Sequence, residues 1–565
     1  MVTVKNCLAR TALLPVLLVL AACTREPQRR ADSTASAAAA SAPTPPREAL
    51  LSDLGPYHRD IQTNSSAAQE FFDEGLTLLY GFNHEEAFTS FARAAALDSA
   101  SPMPHWGMAL ALGTNINDPA PAERIAKAYT HLAEAMKRSA SGSAVEQGLV
   151  AALAKRYVAD PTGDQSARER AYSAAMAALA TQYPADADVA TLYAESMMNL
   201  HPWRLYRADG TPESWTPAIV ATLERVMAAE PRHPGANHYY VHAVEASRTP
   251  ERAIRSAGLL ETLVPGAGHL VHMPAHIYIR TGQYVQAARS NAVAAAVDEK
   301  YFKAPNPQTF YAMAYYGHNL QFESAAAMYA GNFAESRSAA KRTVAMADPV
   351  ADQMAMLEPF AAQELLVLAR FGAWSEILAL KAPASSRTIQ RGLYHWARGA
   401  ALAHTQRPAD ARIQLDSLQQ VVTRVPKDAM VGPVNWGGDV LAVATADLRG
   451  RIAFAAGDTS DAITAFTAAV AAEDKLGYNE PPDWLLPERE RLGAVLLAAG
   501  KPSDAERVFR ADLRHNVGNP RSLYGVWRSL DMQHRTADAA TAKRAFDDAW
   551  RGADITLGED LLPKR

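Results

Sequence analysis

Six of the sixteen histidines in this 565-residue chain fall within residues 231–284. Four of them form two pairs with i, i+4 spacing, His238 with His242 and His272 with His276. Residues four apart on a helix share one face, with Cβ atoms about 5–6 Å apart, so each pair can direct two imidazoles to one point. Imidazole suits zinc, copper, iron or nickel, whereas magnesium and calcium prefer oxygen ligands. The spacing therefore predicts a transition-metal site.

The second pair follows the first by 34 residues, member for member. In a chain built from helix–turn–helix units of this length, successive units stack, and equal positions of neighbouring units lie side by side. Packed helix axes are about 8–10 Å apart, and imidazole binds a metal ion at about 2.0–2.1 Å. We therefore expect all four imidazoles to meet in one pocket.

Three further residues extend the candidate site. Glu245 follows His242 by three positions on the same predicted helix face, and we expect His269 and His318 at the edge of the pocket. The ion would be zinc, copper, iron or nickel, the metals that imidazole and carboxylate ligands suit. Met273 alone cannot select copper among them. If the site is catalytic, Glu245 is the candidate base, acting on a metal-bound water. The full set of candidate ligands is His238, His242, His269, His272, His276, His318 and Glu245.

A metal-free arrangement is the alternative interpretation. The histidines would then be buried polar groups that hydrogen-bond to the backbone or to tyrosines. Pro274 also lies between His272 and His276, and a helix that begins late at this proline would spoil their i, i+4 geometry. The candidate tyrosines are Tyr239, Tyr240 and Tyr278.

Three functions follow from these alternatives. The first is a metal-binding protein with a binding or assembly role. The second is a metal-dependent enzyme, a hydrolase or an oxidoreductase, that uses the same histidines and Glu245. The third is a metal-free scaffold whose groove holds a peptide from a partner protein. An open ligand position would separate the second function from the first, and bound metal would separate both from the third.

The rest of the chain is expected to supply helices. Alanine is abundant, glycine and proline occur singly, and no segment alternates apolar and polar residues for the length of a strand. In the first repeat, Gly75 and Ala87 are small enough to let two helices approach closely, and Phe91 fills the gap to the next unit. The composition predicts an all-α solenoid. Turns between paired helices are expected at Gly282, Gly331, Gly372, Gly457 and Gly500.

The N-terminus has the pattern of a secreted lipoprotein. Lys5 and Arg10 precede an apolar run that is too short to cross a bilayer as a mature helix, and residues 20–23, LAAC, resemble a bacterial lipobox. This resemblance implies lipid modification of Cys23 and, because Thr24 follows, the periplasmic face of the outer membrane. We assign four segments: a signal peptide at 1–22, a flexible tether at 23–55, N-terminal repeats with the histidine-rich groove at 56–345, and C-terminal repeats at 346–565.

The repeats resemble tetratricopeptide repeats, and the chain is similar to a group of bacterial secreted helical-repeat proteins. The motifs that carry this resemblance are GFNHEEA at 81–87, HPGANHYYVHAVEAS at 233–247, GHLVHMPAHIYIRTGQY at 268–284, YYGHN at 315–319 and YNEPPDW at 478–484. In tetratricopeptide repeats, positions 2, 5, 9 and 12 of the first helix line a concave groove. By that resemblance the candidate histidines and Glu245 face the groove, and Glu195 holds position 9 in the preceding unit.

Several classes of function are disfavoured by the sequence. The formal charge is −4, and no basic stripe appears, so nucleic acid is not an expected partner. No nucleophile motif, phosphate-binding glycine loop or dinucleotide fingerprint is present. Any catalysis is therefore expected to be metal-centred. The expected partners are a membrane, through the lipid on Cys23, and a protein or peptide in the groove.

Overall fold

The described residues of the computed structural model are 48–302, 310–558 and 561, and they form an all-α solenoid of paired helices. Within these ranges no β-strand forms, and only isolated bridges occur. The helices of the first part are α1 (Ser66–Tyr80), α2 (His84–Leu97), α3 (Met103–Ala111), α4 (Ala122–Arg138), α5 (Ala144–Leu153), α6 (Gln165–Gln182), α7 (Ala187–Asn199), α8 (Thr216–Ala229), α9 (Pro234–Val244), α10 (Ile254–Leu263), α11 (Gly268–His272), α12 (Pro274–Arg280) and α13 (Tyr284–Phe302).

The second part continues the same plan after one turn of π-helix at Ala312–Tyr316. Its helices are α14 (Gly317–Ala330), α15 (Phe333–Ala347), α16 (Glu358–Ala361), α17 (Gln363–Arg370), α18 (Trp374–Ala379), α19 (Thr388–His404), α20 (Pro408–Val422), α21 (Gly437–Ala455), α22 (Thr459–Glu473), α23 (Glu488–Ala498), α24 (Pro502–His515), α25 (Pro520–Met532) and α26 (Thr536–Ala549). Helices pack mainly against their neighbours in the chain, as in a repeat protein. The predicted fold class is confirmed.

A phenylalanine wedged between two glycines holds successive units together. Phe91 of α2 lies against Gly75 of α1 and Gly107 of α3, where an added Cβ would come within 2.7 Å and 2.6 Å of its ring. Phe509 of α24 repeats the arrangement near the other end of the chain, between glycines of α23 and α25. Only glycine leaves room for the ring between such closely packed helices, and this explains the spacing seen in the sequence.

The glycines predicted as turns lie between paired helices with left-handed backbones. Gly282, for example, has φ of 80°, a conformation that costs most residues about 1–2 kcal/mol and glycine very little. The others in left-handed turns are Gly331, Gly372, Gly457 and Gly500. Phe82 takes the same kind of turn between α1 and α2 with φ of 57°, although it is bulky.

The helix that carries His272 and His276 is interrupted, as Pro274 implied. α11 ends at His272 and α12 begins at Pro274, because the proline has no N–H to donate to the preceding turn. The intervening Met273 nevertheless keeps right-handed helical angles, φ −52° and ψ −33°. The helical path therefore continues through the break. The expectation that Pro274 would separate the two histidines is wrong.

The C-terminal part of the solenoid returns to the N-terminal part. The hydroxyl of Tyr284 donates to the carbonyl of Val517 at 2.9 Å, and backbone N–H groups at the start of α15 donate to Asp554. The connection between α22 and α23 thereby lies beside α9 and brings Tyr478 to the histidine stretch. Residues distant in sequence consequently share one region of the fold.

The N-terminal expectations fall mostly outside the described residues. The signal peptide, Cys23 and the tether as far as residue 47 lie there and stay predictions. The end of the expected tether lies against the helices: Leu51 N–H donates to Glu74 at 2.5 Å, and the Asp53 carbonyl accepts from Gly266 N–H at 2.7 Å. Among the described residues, none of the helices is long and apolar enough to cross a membrane.

Candidate metal centre

The candidate ligands occupy the first helices of three successive helix pairs. Their positions are His238 and His242 on α9, Glu245 at its C-terminal cap, His269 and His272 on α11, His276 on α12, and His318 on α14. All are buried except His318, which is half-buried. Stacking at the 34-residue period therefore brings the predicted side chains to one place, and His269 lies within the group rather than at its edge.

Three of these histidines form a first trio, defined as His238, His242 and His269, whose ligand nitrogens lie within 4.8 Å of one another. His238 Nδ1–H donates to the carbonyl oxygen of Tyr80 at 2.5 Å, which leaves its Nε2 3.2 Å from Nε2 of His269. His242 Nδ1–H donates to Glu245 Oε1 at 2.9 Å. Among the described residues, His242 Nε2 and His269 Nδ1 have no hydrogen-bond partner.

The second trio consists of His272, His276 and His318, and it meets the same distance limit. Asn291 fixes the tautomer of His272: its amide nitrogen donates to the carbonyl of Ala287 at 2.8 Å, so its oxygen accepts from His272 Nδ1–H at 2.6 Å. The Nε2 atoms of His272 and His276 are 2.8 Å apart. Each trio therefore contains one pair of Nε2 atoms that face each other.

The carboxylate of Glu245 connects the two trios. Its Oε1 accepts from His242 of the first trio, and its Oε2 accepts from Nδ1–H of His276 of the second. Tyr478 O–H also donates to Oε2, at 3.2 Å. A carboxylate on the far nitrogen of a histidine fixes the tautomer and turns Nε2 toward a metal. Glu245 orients one imidazole of each trio in this way.

The two Nε2 atoms of His272 and His276 require something positive between them. Both Nδ1 hydrogens are committed to acceptors, so both neutral rings present an Nε2 lone pair, and these face each other at 2.8 Å. Two lone pairs repel unless a shared proton or a cation lies between them. Two ligands of one ion, bound at about 2.0–2.1 Å, are about 2.9–3.4 Å apart. Both facing pairs are close to this separation.

Burial favours the neutral imidazole in both trios. It lowers the pKa of five of the six histidines, because a charged ring is poorly solvated there, and neighbouring imidazoles add to the effect. His276 is the exception: burial acts to lower its pKa, but the carboxylate of Glu245 raises it above the ordinary value. The five with lowered pKa are His238, His242, His269, His272 and His318, the last to about 3.

Aromatic rings cover the first trio. The Phe82 ring meets that of His238 edge-on at 4.6 Å between centroids and stacks on that of His269 at 5.6 Å. Trp203 meets the ring of His242 at 5.9 Å and, like Phe82, has a left-handed backbone, φ 60°. Such strain in a bulky residue costs about 1–3 kcal/mol, and it concentrates at ligand sites. The two rings therefore cover the trio without filling the space beside His242.

A segment of the C-terminal part closes another side of the site. Tyr478 lies under the guanidinium of Arg280, 5.2 Å from the ring centroid, and donates to Glu245. Glu480 is also buried there, and its Oε2 has no hydrogen-bond partner among the described residues. Burial raises the pKa of Glu480 to about 7, against the opposing effect of Arg280 and His276. The site thus contains a second carboxyl group that the sequence analysis did not include.

A small cavity of about 20 Å³ lies beside the first trio. His242, Glu245, Trp203 and Tyr478 are among its lining residues. A cavity needs about 10–15 Å³ of such space to hold one water, so this one accommodates a water or a ligand of similar size. The first trio is therefore reachable by a small molecule but not by a peptide.

His233 is a buried histidine of a different kind. Its Nδ1 accepts from the N–H of Ala236 at 3.1 Å, and its Nε2 lies 3.0 Å from the Tyr57 hydroxyl and 3.3 Å from Asp188. Asp188 also accepts from Tyr57 and Tyr80 hydroxyls. Both ring nitrogens are thereby used within the protein. This group, His233 with Asp188 and its partners, is called the Asp188 network below.

The tyrosines named in the metal-free alternative do not hydrogen-bond to the candidate histidines among the described residues. Tyr240 donates to Glu224 at 2.8 Å, and Tyr278 donates to Glu261 at 2.6 Å, while Tyr239 packs its ring beside His238. The expected groove residue of the preceding unit is also separate. Glu195 lies beside Arg156, and its Oε1 accepts a hydrogen bond from the side-chain amide of Asn199. These residues are therefore not part of the candidate site.

Several residues around the site were missed by sequence reasoning. They lie far from the histidines in sequence, so helical spacing could not identify them. The motifs that carry the family resemblance could have pointed to them, because GFNHEEA contains Phe82, YYGHN contains Tyr315, and YNEPPDW contains both Tyr478 and Glu480. Tyr315, expected in the core, is buried and meets the ring of His269 at 4.6 Å.

No family model and no curated protein matches the chain. Among solved structures it is similar to a human IFIT1 dimer with m7Gppp-AAAA, with 12% identity over 86% of this chain and 91% of that chain and a TM-score of 0.30. The TPR domain of P58(IPK) gives 10% identity, coverages of 79% and 99%, and a TM-score of 0.21. Naa15/Naa10 bound to HypK-THB gives 12% identity, coverages of 87% and 90%, and a TM-score of 0.23. At these scores the likeness carries no argument about the site.

Proposed function

We propose that this protein binds a transition metal through the two histidine trios. The observation that carries the proposal is the approach of His272 Nε2 and His276 Nε2 to 2.8 Å, with both Nδ1 hydrogens already donated. Lowered pKa values support it further, because a metal binds the neutral imidazole and competes with protons. Zinc, copper, iron and nickel all suit a site of imidazoles.

A catalytic role for the metal is the second candidate. Each trio supplies three imidazoles, and catalytic zinc sites keep a fourth position for water or substrate. The cavity beside His242 would give a small molecule access to that position. Glu245 is less suited to act as a base than to hold ligands, because His276 and His242 overcome the effect of burial and keep its pKa well below the ordinary value. We assign Glu245 a positioning role in this proposal.

Metal analysis of matched variants tests the proposal. The full mature protein is purified and its transition-metal content is measured per chain, together with that of the double variant His242→Ala, His276→Ala. We expect stoichiometric metal in the native protein and none in the double variant, with the helical circular dichroism largely kept. His233→Gln is the control, since it removes a buried histidine outside the trios, and it should keep its metal. A native protein that neither contains nor takes up metal contradicts the proposal.

We also propose that the protein is anchored in the cell envelope through a lipid on Cys23 and offers its concave surface to a protein partner. The support is the lipobox-like sequence before Cys23 and the extended binding surface that helical solenoids present. The variant Cys23→Ser should be released from the membrane fraction. Unchanged membrane association of that variant would contradict the anchor.

A further inference from the structure

We propose that the site holds two metal ions, one in each trio, with Glu245 between them as the shared positioning carboxylate. This inference rests on the proposed metal binding and adds the number of bound ions and their arrangement. The six imidazoles fall into two sets of three, each with its ligand atoms within 4.8 Å of one another, and a third such group, His242, Glu245 and His276, joins the two sets. The two sets are adjacent, since the rings of His242 and His276 are 5.3 Å apart and those of His269 and His272 are 5.5 Å apart.

Nitrogen atoms of paired imidazoles face each other in both trios. His272 and His276 do so through Nε2 atoms at 2.8 Å, and His238 and His269 do so at 3.2 Å. One ion placed within the second trio would account for the first contact, and an ion in the first trio would take the place of the hydrogen bond that His269 Nε2–H can donate to His238 Nε2. An ion equidistant from all six would require every pair of ligand atoms to lie within about 4.2 Å, twice the metal–nitrogen distance. The division into trios does not fit that arrangement.

Two ring nitrogens of the first trio lack a hydrogen-bond partner among the described residues, and this also favours an ion in that trio. His242 donates through Nδ1, so its Nε2 is an acceptor, yet it has no hydrogen-bond partner among the described residues although the side chain is only 2% exposed. His269 Nδ1 is also without a partner within the described ranges. Leaving a buried imidazole nitrogen without a partner is energetically costly. Coordination of His242 Nε2 to an ion would remove that cost in the first trio, independently of the second.

Each trio also has its own set of supporting acceptors. In the first, Tyr80 supplies a carbonyl for His238, and in the second, Asn291 supplies an amide oxygen for His272. Glu245 gives one oxygen to each trio. Acceptors of this kind orient metal-binding histidines and raise their basicity. The duplication of this support in both trios is expected for two sites and is unnecessary for one.

Two cations in a buried site require nearby negative charge. Glu245 supplies one carboxylate, and Glu480 supplies a second group that can ionise, with an oxygen that lacks a hydrogen-bond partner among the described residues. Tyr478 links this segment to Glu245. The connection between α22 and α23 therefore contributes charge and closure to a centre whose ligands all come from the N-terminal half.

Stoichiometry decides the inference. The full mature protein is stripped with a chelator, titrated with Zn²⁺ alone, and its bound zinc is counted after removal of the excess. We expect two ions for the native chain and for the control His233→Gln. His269→Gln removes a ligand of the first trio only, and His318→Gln removes the half-buried ligand of the second, so each should reduce tight binding from two ions to one.

The outcomes separate this inference from the proposal on which it rests. One ion in the native chain, lost in both single variants, overturns the two-metal arrangement and leaves metal binding intact. No bound zinc in the native chain overturns both. Two ions that neither variant reduces place the binding outside the trios and also overturn both. If a variant does not fold, Cu²⁺ titration of the native chain decides, because the electron paramagnetic resonance signal of the first equivalent should broaden when a second ion binds nearby, and an additive signal contradicts adjacency.

Discussion

Two buried histidine groups in this protein use similar residues for different ends. In the Asp188 network, the nitrogens of His233 and the oxygens of Asp188 all have partners, including the guanidinium of Arg59 at 2.8 Å. In the trios, by contrast, His238, His242, His272 and His276 donate through Nδ1, and the Nε2 atoms of His272 and His276 face each other. The groups are neighbours, since Tyr80 donates its hydroxyl to the network and its carbonyl to His238.

The comparison of the two groups gives a criterion that separates a structural histidine from a candidate ligand. Burial does not do so, because His233 and His238 are 1% and 0% exposed. The decisive property is whether the protein itself uses every ring nitrogen. In the network the hydrogen bonds close among protein groups. In the second trio they stop at Nε2 of His272 and His276, where a shared proton or a cation must lie.

The variant Asp188→Ala should produce the largest loss of stability. It leaves the hydroxyls of Tyr57 and Tyr80 without their acceptor and removes one of the two carboxylates that pair with Arg59, the other being Asp186. Breaking a buried ion pair costs about 3–5 kcal/mol. Denaturant unfolding of native and variant protein measures the loss. Because the network holds no ligand, the metal content per folded chain should not change. Loss of metal from a folded variant would show that the two groups are not independent.

The variant Glu245→Gln should weaken metal binding by about 10–100-fold, the usual effect of removing a supporting carboxylate. An amide can accept from only one of the two imidazoles that Glu245 now orients. The dissociation constant for Zn²⁺ by competition with a chelator measures the effect. Glu224→Gln is the matched control. Glu224 lies on α8, outside the site, and accepts a hydrogen bond from Tyr240 of α9, so the zinc affinity of this variant should equal that of the native chain.

In the chelator-stripped protein, the histidines of the trios with lowered pKa should destabilise the folded chain as the pH falls below about 6.5. Burial lowers the pKa of His238, His269 and His272 in the folded chain, so below that pH the unfolded chain binds more protons and is favoured. The slope is at most about 1.4 kcal/mol per pH unit for each such histidine. The Asp188 network should not contribute here, because its carboxylate has a lowered pKa and would titrate only at more acidic pH.

Melting temperatures of the stripped protein at pH 7.5 and 5.5 check this expectation. The double variant His238→Gln, His272→Gln should show a smaller pH dependence than the native chain, since two of the titrating groups are gone. Zinc-loaded native protein should be at least as sensitive over this range, because the ion keeps the imidazoles neutral in the folded chain while the unfolded chain still takes up protons. An equal pH dependence in native and double variant would contradict the assignment of this window to the trios.

The smallest effect is expected from Tyr478→Phe. This change removes one hydrogen bond to Glu245 and keeps the ring under Arg280. A single hydrogen bond contributes about 0.5–1.5 kcal/mol, so zinc affinity should fall by about 2–10-fold without loss of stoichiometry. Tyr240→Phe removes a comparable hydroxyl away from the site and serves as control. Equal affinities in both variants would show that the C-terminal segment does not support the centre.

The fold and the clustering of the candidate ligands could largely be predicted from the sequence. The 34-residue phase placed His238 and His242 beside His272 and His276 because stacked units repeat their geometry. Gly75 and Phe91 indicated close helix packing for the same reason. Pro274 was misread as a break in this geometry, since the sequence does not show that Met273 keeps helical angles. A missing N–H removes a hydrogen bond but need not redirect the chain.

The supporting groups could not be predicted from spacing. The Tyr80 carbonyl and Asn291 belong to other helices, and Tyr478 arrives from a connection on the far side of the chain. Their positions depend on how many units separate them and on the curvature that these units accumulate, which no local pattern specifies. The same holds for Phe82, whose left-handed turn is occupied by glycine in several other units. Local periodicity therefore predicts which candidate ligands meet better than it predicts what orients them.

Anomalous diffraction from crystals of the zinc-loaded protein tests the central claim most directly. Data collected on both sides of the zinc absorption edge locate the ion without reference to any variant. We predict a peak about 2.0–2.1 Å from the Nε2 atoms of His272 and His276, and a second among His238, His242 and His269. Absence of a peak at both trios, in crystals that contain zinc elsewhere or none at all, would contradict the claim that these imidazoles form a metal centre, and a peak at one trio alone would contradict the two-ion arrangement.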